Sequence, residues 1–103
     1  MSRVTPEKKV QDAIIKYLND NGIYYERRST SMPNYKKGSP DLFVVFSYLH
    51  IEVEVKKPGG TPSPLQLNFE QACKQRGTPY IRCESFEEFL NKLESILSHF
   101  LAS

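Results

Sequence analysis

The stretch GSPDLFVVFSYLHIEVEVKK, residues 38–57, decides the fold of this chain. Its second half, IEVEVKK, alternates strictly between apolar and charged residues, which is typical of a β-strand with two different faces. The apolar side chains at 51, 53 and 55 share one face, and the opposite face carries Glu52, Glu54 and Lys56. Such a polar face is either solvated or part of a binding site.

The first half of the stretch predicts a second strand that pairs with this one. LFVVF, residues 42–46, is apolar throughout, as expected for a strand covered on both faces. A hairpin through SYLH places the start of this strand beside the end of the next one. Asp41 is therefore expected near Glu54 and Lys56, and Pro40 restricts the backbone that leads into it.

Helix caps, glycines and hydrophobic periodicity supply the remaining elements. They predict a helix from Thr5-Pro6 to Gly22, a β-rich segment at 23–29, a helix from Ser63-Pro64 to Gly77, a strand at 79–83 and a last helix after Ser85. The predicted order is α-β-β-β-α-β-α, an α/β fold in which a small mixed sheet is flanked by helices.

Length and composition indicate one globular domain that spans residues 1–103, with 39% hydrophobic and 12% aromatic residues. No apolar run approaches the roughly 20 residues of a membrane span, and the N-terminal sequence lacks the apolar segment of a signal peptide. Cys73 and Cys83 have neither disulfide-framework nor zinc-site spacing, which predicts buried thiols in a reducing compartment. We expect a soluble, cytoplasmic protein.

The net charge of +2 is unevenly distributed along the chain. Residues 1–83 carry 13 Lys and Arg against 8 Asp and Glu, whereas residues 84–103 carry 1 against 4. Cation binding by some of these acids would make the working surface more positive still. The distribution favours a polyanionic partner.

The polar strand face has the composition of a divalent-metal site. Two carboxylates held close together repel each other unless a proton or a cation lies between them, and carboxylate oxygens suit Mg²⁺ or Mn²⁺. Asp41 and Glu54 would be those carboxylates, and Lys56 would lie two residues beyond. This arrangement predicts hydrolysis of a phosphodiester by metal and water; the alternative is an ordinary solvated face.

Two polar residues at the starts of helices are directed toward the same face. Glu7 lies on the helical stripe of Val10 and Ile14, so we expect it to face the sheet and not the solvent. Gln66 has the matching offset from Phe69 in the second helix. Inward polar groups need partners, which the acidic strand would supply. A second interpretation of Glu7, as a first-turn acid that favours the helix dipole, stays open.

Together these residues resemble the VRR-NUC group of the PD-(D/E)xK nuclease superfamily. The resemblance rests on Glu7 in the first helix, GSPD at 38–41, IEVEVK at 51–56 and Gln66 after a Ser-Pro helix start. It extends to Cys83, and the small size is similar to that of stand-alone phage and bacterial members.

The resemblance implies a restriction-endonuclease-like core and hydrolysis of DNA with Mg²⁺ or Mn²⁺. It also implies similarity to Holliday junction resolvases, which are homodimers that cut branched DNA, here in the cytoplasm of a bacterial or phage-infected cell. The residues that it implies are Asp41, Glu54, Lys56 and Gln66 for catalysis, with Glu7, Asp41, Glu54 and the Val55 carbonyl as metal ligands.

Four basic residues flank this region and are interleaved with tyrosines, a pattern that suits contact with phosphates and bases. They are Arg27, Arg28, Lys36 and Lys37, and we predict that they contact DNA. Glu52 shares the face of Glu54 and stays open as an accessory acid. Two other functions also stay open: a non-catalytic nucleic-acid-binding module that keeps the nuclease fold, and an interaction protein that binds through its acidic strand.

Overall fold

The order of helices and strands is the predicted one. The computed structural model describes residues 4–101. Its elements are α1 (Pro6–Asp20), β1 (Tyr24–Arg27), β2 (Leu42–Val45), β3 (His50–Val55), α2 (Pro64–Arg76), β4 (Tyr80–Cys83) and α3 (Phe86–Leu101). No helix in this range is long and apolar enough to cross a bilayer.

The four strands form one mixed sheet in the order β1-β2-β3-β4. The first three strands are joined as antiparallel pairs, and β4 runs parallel to β3 after the crossover through α2. In the β2–β3 hairpin Leu42 lies opposite Val53 and Val44 lies opposite Ile51, so the predicted pairing of these strands is confirmed.

The sheet is covered by helices on both faces. On the apolar face, α1 and α3 contribute the buried Ile14, Leu18, Phe89 and Leu93 to the core. On the opposite face α2 packs against β4, where the rings of Phe69 and Tyr80 lie 6.3 Å apart. Because Tyr80 lies beside Glu52 in the parallel register, α2 covers the polar side of the sheet.

The prediction that β2 is covered on both faces is wrong. Leu42 and Val44 are buried in the hydrophobic core, but Phe43 is partly exposed and Val45 is 37% exposed. The reason lies in the position of α2, which packs on β4 and leaves the far side of β2 without a full helical layer.

Capping at the helix ends follows the sequence. The hydroxyl of Thr5 accepts a hydrogen bond from the backbone N–H of Lys8 at the start of α1. Ser63 does the same for α2, and Gly77 ends that helix with a φ of 73°, in the left-handed region that favours glycine. These caps fix where α1 and α2 begin.

Candidate active site

Asp41 lies where the hairpin was expected to place it. It immediately precedes β2, and continuing the register by one pair sets it opposite Glu54. Its Oδ2 atom accepts a hydrogen bond of 2.8 Å from the backbone N–H of Val55. The carboxylate is thereby directed to the last residues of β3.

Glu54 is a buried carboxyl group that lacks a full set of partners. Its residue is 3% exposed, and its Oε1 atom has no hydrogen-bond partner among residues 4–101. Burial raises the pKa of Glu54 to about 8, with further increases from the Asp41 carboxylate and from Glu7, whereas Lys56 lowers it. A buried acceptor beside a second carboxylate is an arrangement that a divalent cation would stabilise.

Lys56 completes the group at the end of β3. Its Nζ lies 3.8 Å from Oε2 of Glu54, and its side chain is 14% exposed. Its backbone N–H donates to the carbonyl of Cys83 on β4, which fixes the residue in the sheet. The ammonium group is therefore held close to the Glu54 carboxylate.

Glu7 differs from its prediction. The residue is exposed and does not turn away from solvent. It nevertheless lines a small cavity of about 160 Å³ together with Asp41 and Val55. Glu7 thus shares this cavity with one of the two carboxylate residues, Asp41.

Gln66 makes a reciprocal pair of hydrogen bonds with Ser63 at the start of α2, which had not been predicted. Its Oε1 accepts from the backbone N–H of Ser63, and the Ser63 hydroxyl accepts from the backbone N–H of Gln66. This reciprocal pair is a capping box, for which Gln is one of the two usual residues. Among the described residues the amide nitrogen of this side chain donates no hydrogen bond, so its donors are available for another contact.

Arg28 and Glu52 form an ion pair. The sequence predicted separate roles for them, with Arg28 as a DNA contact and Glu52 as an accessory acid. The guanidinium binds both carboxylate oxygens of Glu52, with Nη2 to Oε2 at 3.0 Å. Glu52 is 5% exposed, and the hydrogen bond to it is the largest cause of a raised Arg28 pKa. The Arg28 guanidinium thus has a partner within the fold, and its contact with DNA stays a prediction.

The other three predicted DNA contacts lie at the surface. Arg27 is exposed and its Nη2 donates to Oε1 of Gln11 at 3.3 Å. Lys36 and Lys37 are exposed in the loop before β2. These side chains are accessible to a ligand without rearrangement.

Arg82 is a basic residue that the sequence analysis passed over. It lies beside Glu54 in the parallel register of β3 and β4, and it lines a cavity of about 320 Å³ together with Lys56 and Lys92. In the described part of the chain its guanidinium makes an ion pair of 3.6 Å with Glu70 and donates no hydrogen bond. The signal was present in YIRC, where Arg82 alternates with the apolar Ile81 and Cys83.

The clustered side chains do not by themselves form a closed metal cage. Within residues 4–101, no three His, Cys, Asp or Glu side chains converge as a ready-made ligand set. Mg²⁺ is commonly bound through one or two carboxylates, with water and substrate phosphate as the remaining ligands. The pair of Asp41 and Glu54, with an unpartnered oxygen, fits that mode of binding.

This fold and this group of residues define a small nuclease-type α/β domain. A solved structure described as a VRR_NUC domain is similar to the chain, with a TM-score of 0.75 and 26% sequence identity over 87% of this chain and 96% of that one. No protein-family profile and no curated protein matches the sequence. The resemblance to the VRR-NUC family and its restriction-endonuclease-like fold is therefore confirmed.

Proposed function

We propose that this chain is a metal-dependent endonuclease that hydrolyses phosphodiesters of branched DNA such as Holliday junctions or flaps. The observation that carries the proposal is the unpartnered, buried Oε1 of Glu54 beside Asp41 and Lys56. Leaving a buried acceptor unsatisfied costs about 1–3 kcal/mol, so a structure retains it where a ligand completes it.

Asp41 and Glu54 would hold Mg²⁺ or Mn²⁺, with the Val55 carbonyl and Glu7 as further oxygen donors. When bound, such an ion neutralises charge on the phosphodiester under attack and acidifies water. Lys56 has three N–H donors and no acceptor, so it can hold a phosphate oxygen or orient water.

The reaction is hydrolysis without a protein nucleophile. A water oxygen forms the new bond to phosphorus, the bond to one deoxyribose oxygen breaks, and the departing oxygen takes up a proton. Arg27, Lys36 and Lys37 supply exposed positive charge for the phosphates around the site, and the donors left on Gln66 would help to position water or phosphate.

A cleavage panel tests the proposal. Linear duplex, single strand, flap and four-way junction are incubated with Mg²⁺, with Mn²⁺ or with EDTA. We expect cleavage of the branched substrates only with metal, and a loss of at least about 100-fold in Asp41→Ala and Lys56→Ala, because each removes a group from the charged centre. DNA binding should survive in Lys56→Ala.

Matched controls are Asp12→Ala and Lys57→Ala, two exposed residues of the same types outside the site. Both should cleave like the unmodified protein. Cleavage that persists in EDTA and in both site variants would contradict the proposal.

One observation favours a second function, that of a nucleic-acid-binding module without catalysis. The described residues provide a carboxylate pair and not a complete ligand set. This alternative predicts DNA binding that is indifferent to divalent ions and unchanged in Glu54→Gln. The endonuclease predicts that metal strengthens binding and that Glu54→Gln abolishes this gain.

A further inference from the structure

Arg28 contacts the segment that carries Asp41 at two successive carbonyl groups. Its backbone N–H donates to the carbonyl of Asp41 at 2.8 Å. Its side-chain Nη1 donates to the carbonyl of Pro40 at 3.2 Å. Arg28 thus binds the carbonyl groups on both sides of the Asp41 Cα atom.

The Arg28 side chain is itself held in place from several directions. Glu52 engages the guanidinium with both carboxylate oxygens, a planar fork geometry that Lys cannot reproduce. The guanidinium carbon also lies 5.6 Å from the ring centre of Phe43 and 6.0 Å from that of Phe69. These contacts join β1, β2, β3 and α2 around one group.

The opposite end of Asp41 is fixed by the hydrogen bond from the Val55 N–H to its Oδ2. The backbone position of Asp41 therefore determines whether its carboxylate reaches β3. We infer that Arg28 is a positioning residue for Asp41, which it holds in register with Glu54, and not a contact for DNA. The consequence for metal affinity rests on the proposed function.

The role of Arg28 in stability and its role in positioning can be separated. Buried ion pairs are often replaced by apolar side chains without loss of stability. The double variant Arg28→Met/Glu52→Leu should therefore stay folded in urea titrations, yet it removes the donor to the Pro40 carbonyl. Arg27→Met is the matched control, because Arg27 is exposed and its side-chain hydrogen bond within the described residues goes to Gln11.

Two measurements test the inference without DNA. By NMR hydrogen exchange, the Val55 amide should exchange at least about 10-fold faster in the double variant, while the other β3 amides keep their protection. By calorimetric titration, Mn²⁺ should bind about 10–100-fold more weakly, the usual cost of losing a group that orients a metal ligand. Arg27→Met should change neither.

Unchanged Val55 exchange or unchanged Mn²⁺ affinity in the folded double variant would overturn the inference. Failure of the endonuclease proposal gives a different result, because the unmodified protein would then neither bind Mn²⁺ nor cleave. In that case, hydrogen exchange at the Val55 amide still tests whether Arg28 positions Asp41. Arg28→Lys provides a further check, since one ammonium cannot bind Glu52 and Pro40 in the same geometry, and it should resemble the double variant in Val55 exchange.

Discussion

Glu54 is the residue at which protonation and the proposed ion binding would compete. Without metal, burial and Asp41 favour the neutral carboxylic acid, which is why the pKa of Glu54 is about 8 instead of its usual 4.5. A divalent ion placed between the carboxylates would reverse this preference and displace the proton. The same group therefore links metal affinity to pH.

The raised pKa predicts how the metal-free protein responds to pH. A carboxyl group with a higher pKa in the folded state stabilises the fold fully below about 4.5, and this contribution is lost as the pH rises through about 8. We expect the stability of the protein relative to Glu54→Gln to fall over this range in EDTA. Urea unfolding from pH 5 to pH 9 measures the difference.

The neutral amide of Glu54→Gln does not titrate. The difference in stability between the two proteins therefore isolates the titration of Glu54 from that of the other ionisable groups. A stability difference that stays constant with pH would contradict the assignment. Added Mn²⁺ should stabilise the unmodified protein increasingly as the pH rises, because fewer protons need to be displaced.

Arg82 is expected to contribute a phosphate contact. It lies beside Glu54 in the sheet and lines the cavity of about 320 Å³, and among residues 4–101 its guanidinium donates no hydrogen bond. In Arg82→Ala, we expect weaker DNA binding and a salt dependence whose logarithmic slope falls by about 0.9, the effect of one phosphate contact. Fluorescence anisotropy in EDTA at several salt concentrations measures both quantities.

Arg76→Ala is the control for Arg82, since Arg76 is an exposed arginine at the end of α2. It should leave the slope unchanged. An Arg82→Ala protein that binds with the original slope would show that Arg82 serves only its ion pair with Glu70.

At the scale of elements, Gly38 brings the loop before β2 into close contact with the start of α2. A Cβ atom at this position would lie 2.7 Å from Cβ of Leu65, and φ is +93°. Gly38→Ala should therefore cost about 1–3 kcal/mol through overpacking, in addition to backbone strain. Urea unfolding gives the free energy of unfolding.

Gly59→Ala separates these two causes. Gly59 also has a positive φ, of +76°, but nothing lies within 4 Å of an added Cβ. It should cost about 1–2 kcal/mol, the strain alone. Equal losses in the two variants would argue against the close approach of the loop to α2.

Gln66 allows capping to be separated from catalysis. Glu is the other usual residue of a capping box, so Gln66→Glu should keep the start of α2 and the stability of the protein. It replaces the free amide donors by a carboxylate, and we therefore expect cleavage to fall about 10-fold or more if Gln66 positions phosphate or water. Full activity in this variant would limit Gln66 to capping.

The alternation in β3 and the caps of α1 and α2 could be predicted because they depend on neighbours in sequence. The pairing of Arg28 with Glu52 could not, since the partners are 24 residues apart and the register of β1 is not encoded in its own four residues. The exposure of Glu7 was missed for a related reason: helical periodicity gives a direction around the axis but not the place where the neighbouring sheet ends.

For the whole molecule, the resemblance to resolvases leads us to expect a homodimer. A chain of 103 residues contributes one Asp41 and one Glu54, and paired cuts need a second set related by two-fold symmetry. Light scattering should give twice the chain mass of 11.9 kDa. Mixed dimers with Asp41→Ala chains should nick a four-way junction without cutting both strands.

A protein that is monomeric at nanomolar concentration and still makes paired cuts would contradict this expectation. The uneven charge along the sequence is less distinct in the folded chain, where the basic Lys56 and Arg82 line one cavity together with the acidic Glu84 and Glu88. The fold was predicted more completely than this distribution of charge in space, which depends on contacts between distant segments.

The two free thiols lie in different layers of the molecule. Cys83 is in the core on β4 and burial raises its pKa to about 12, while Cys73 lies on α2 at 7% exposure. Thiolates are the reactive form, so both groups should be nearly inert to alkylating reagents while the protein is folded. The rate of labelling at Cys73 would therefore report how often α2 detaches from the sheet. The rate at Cys83 would report how often the whole domain opens.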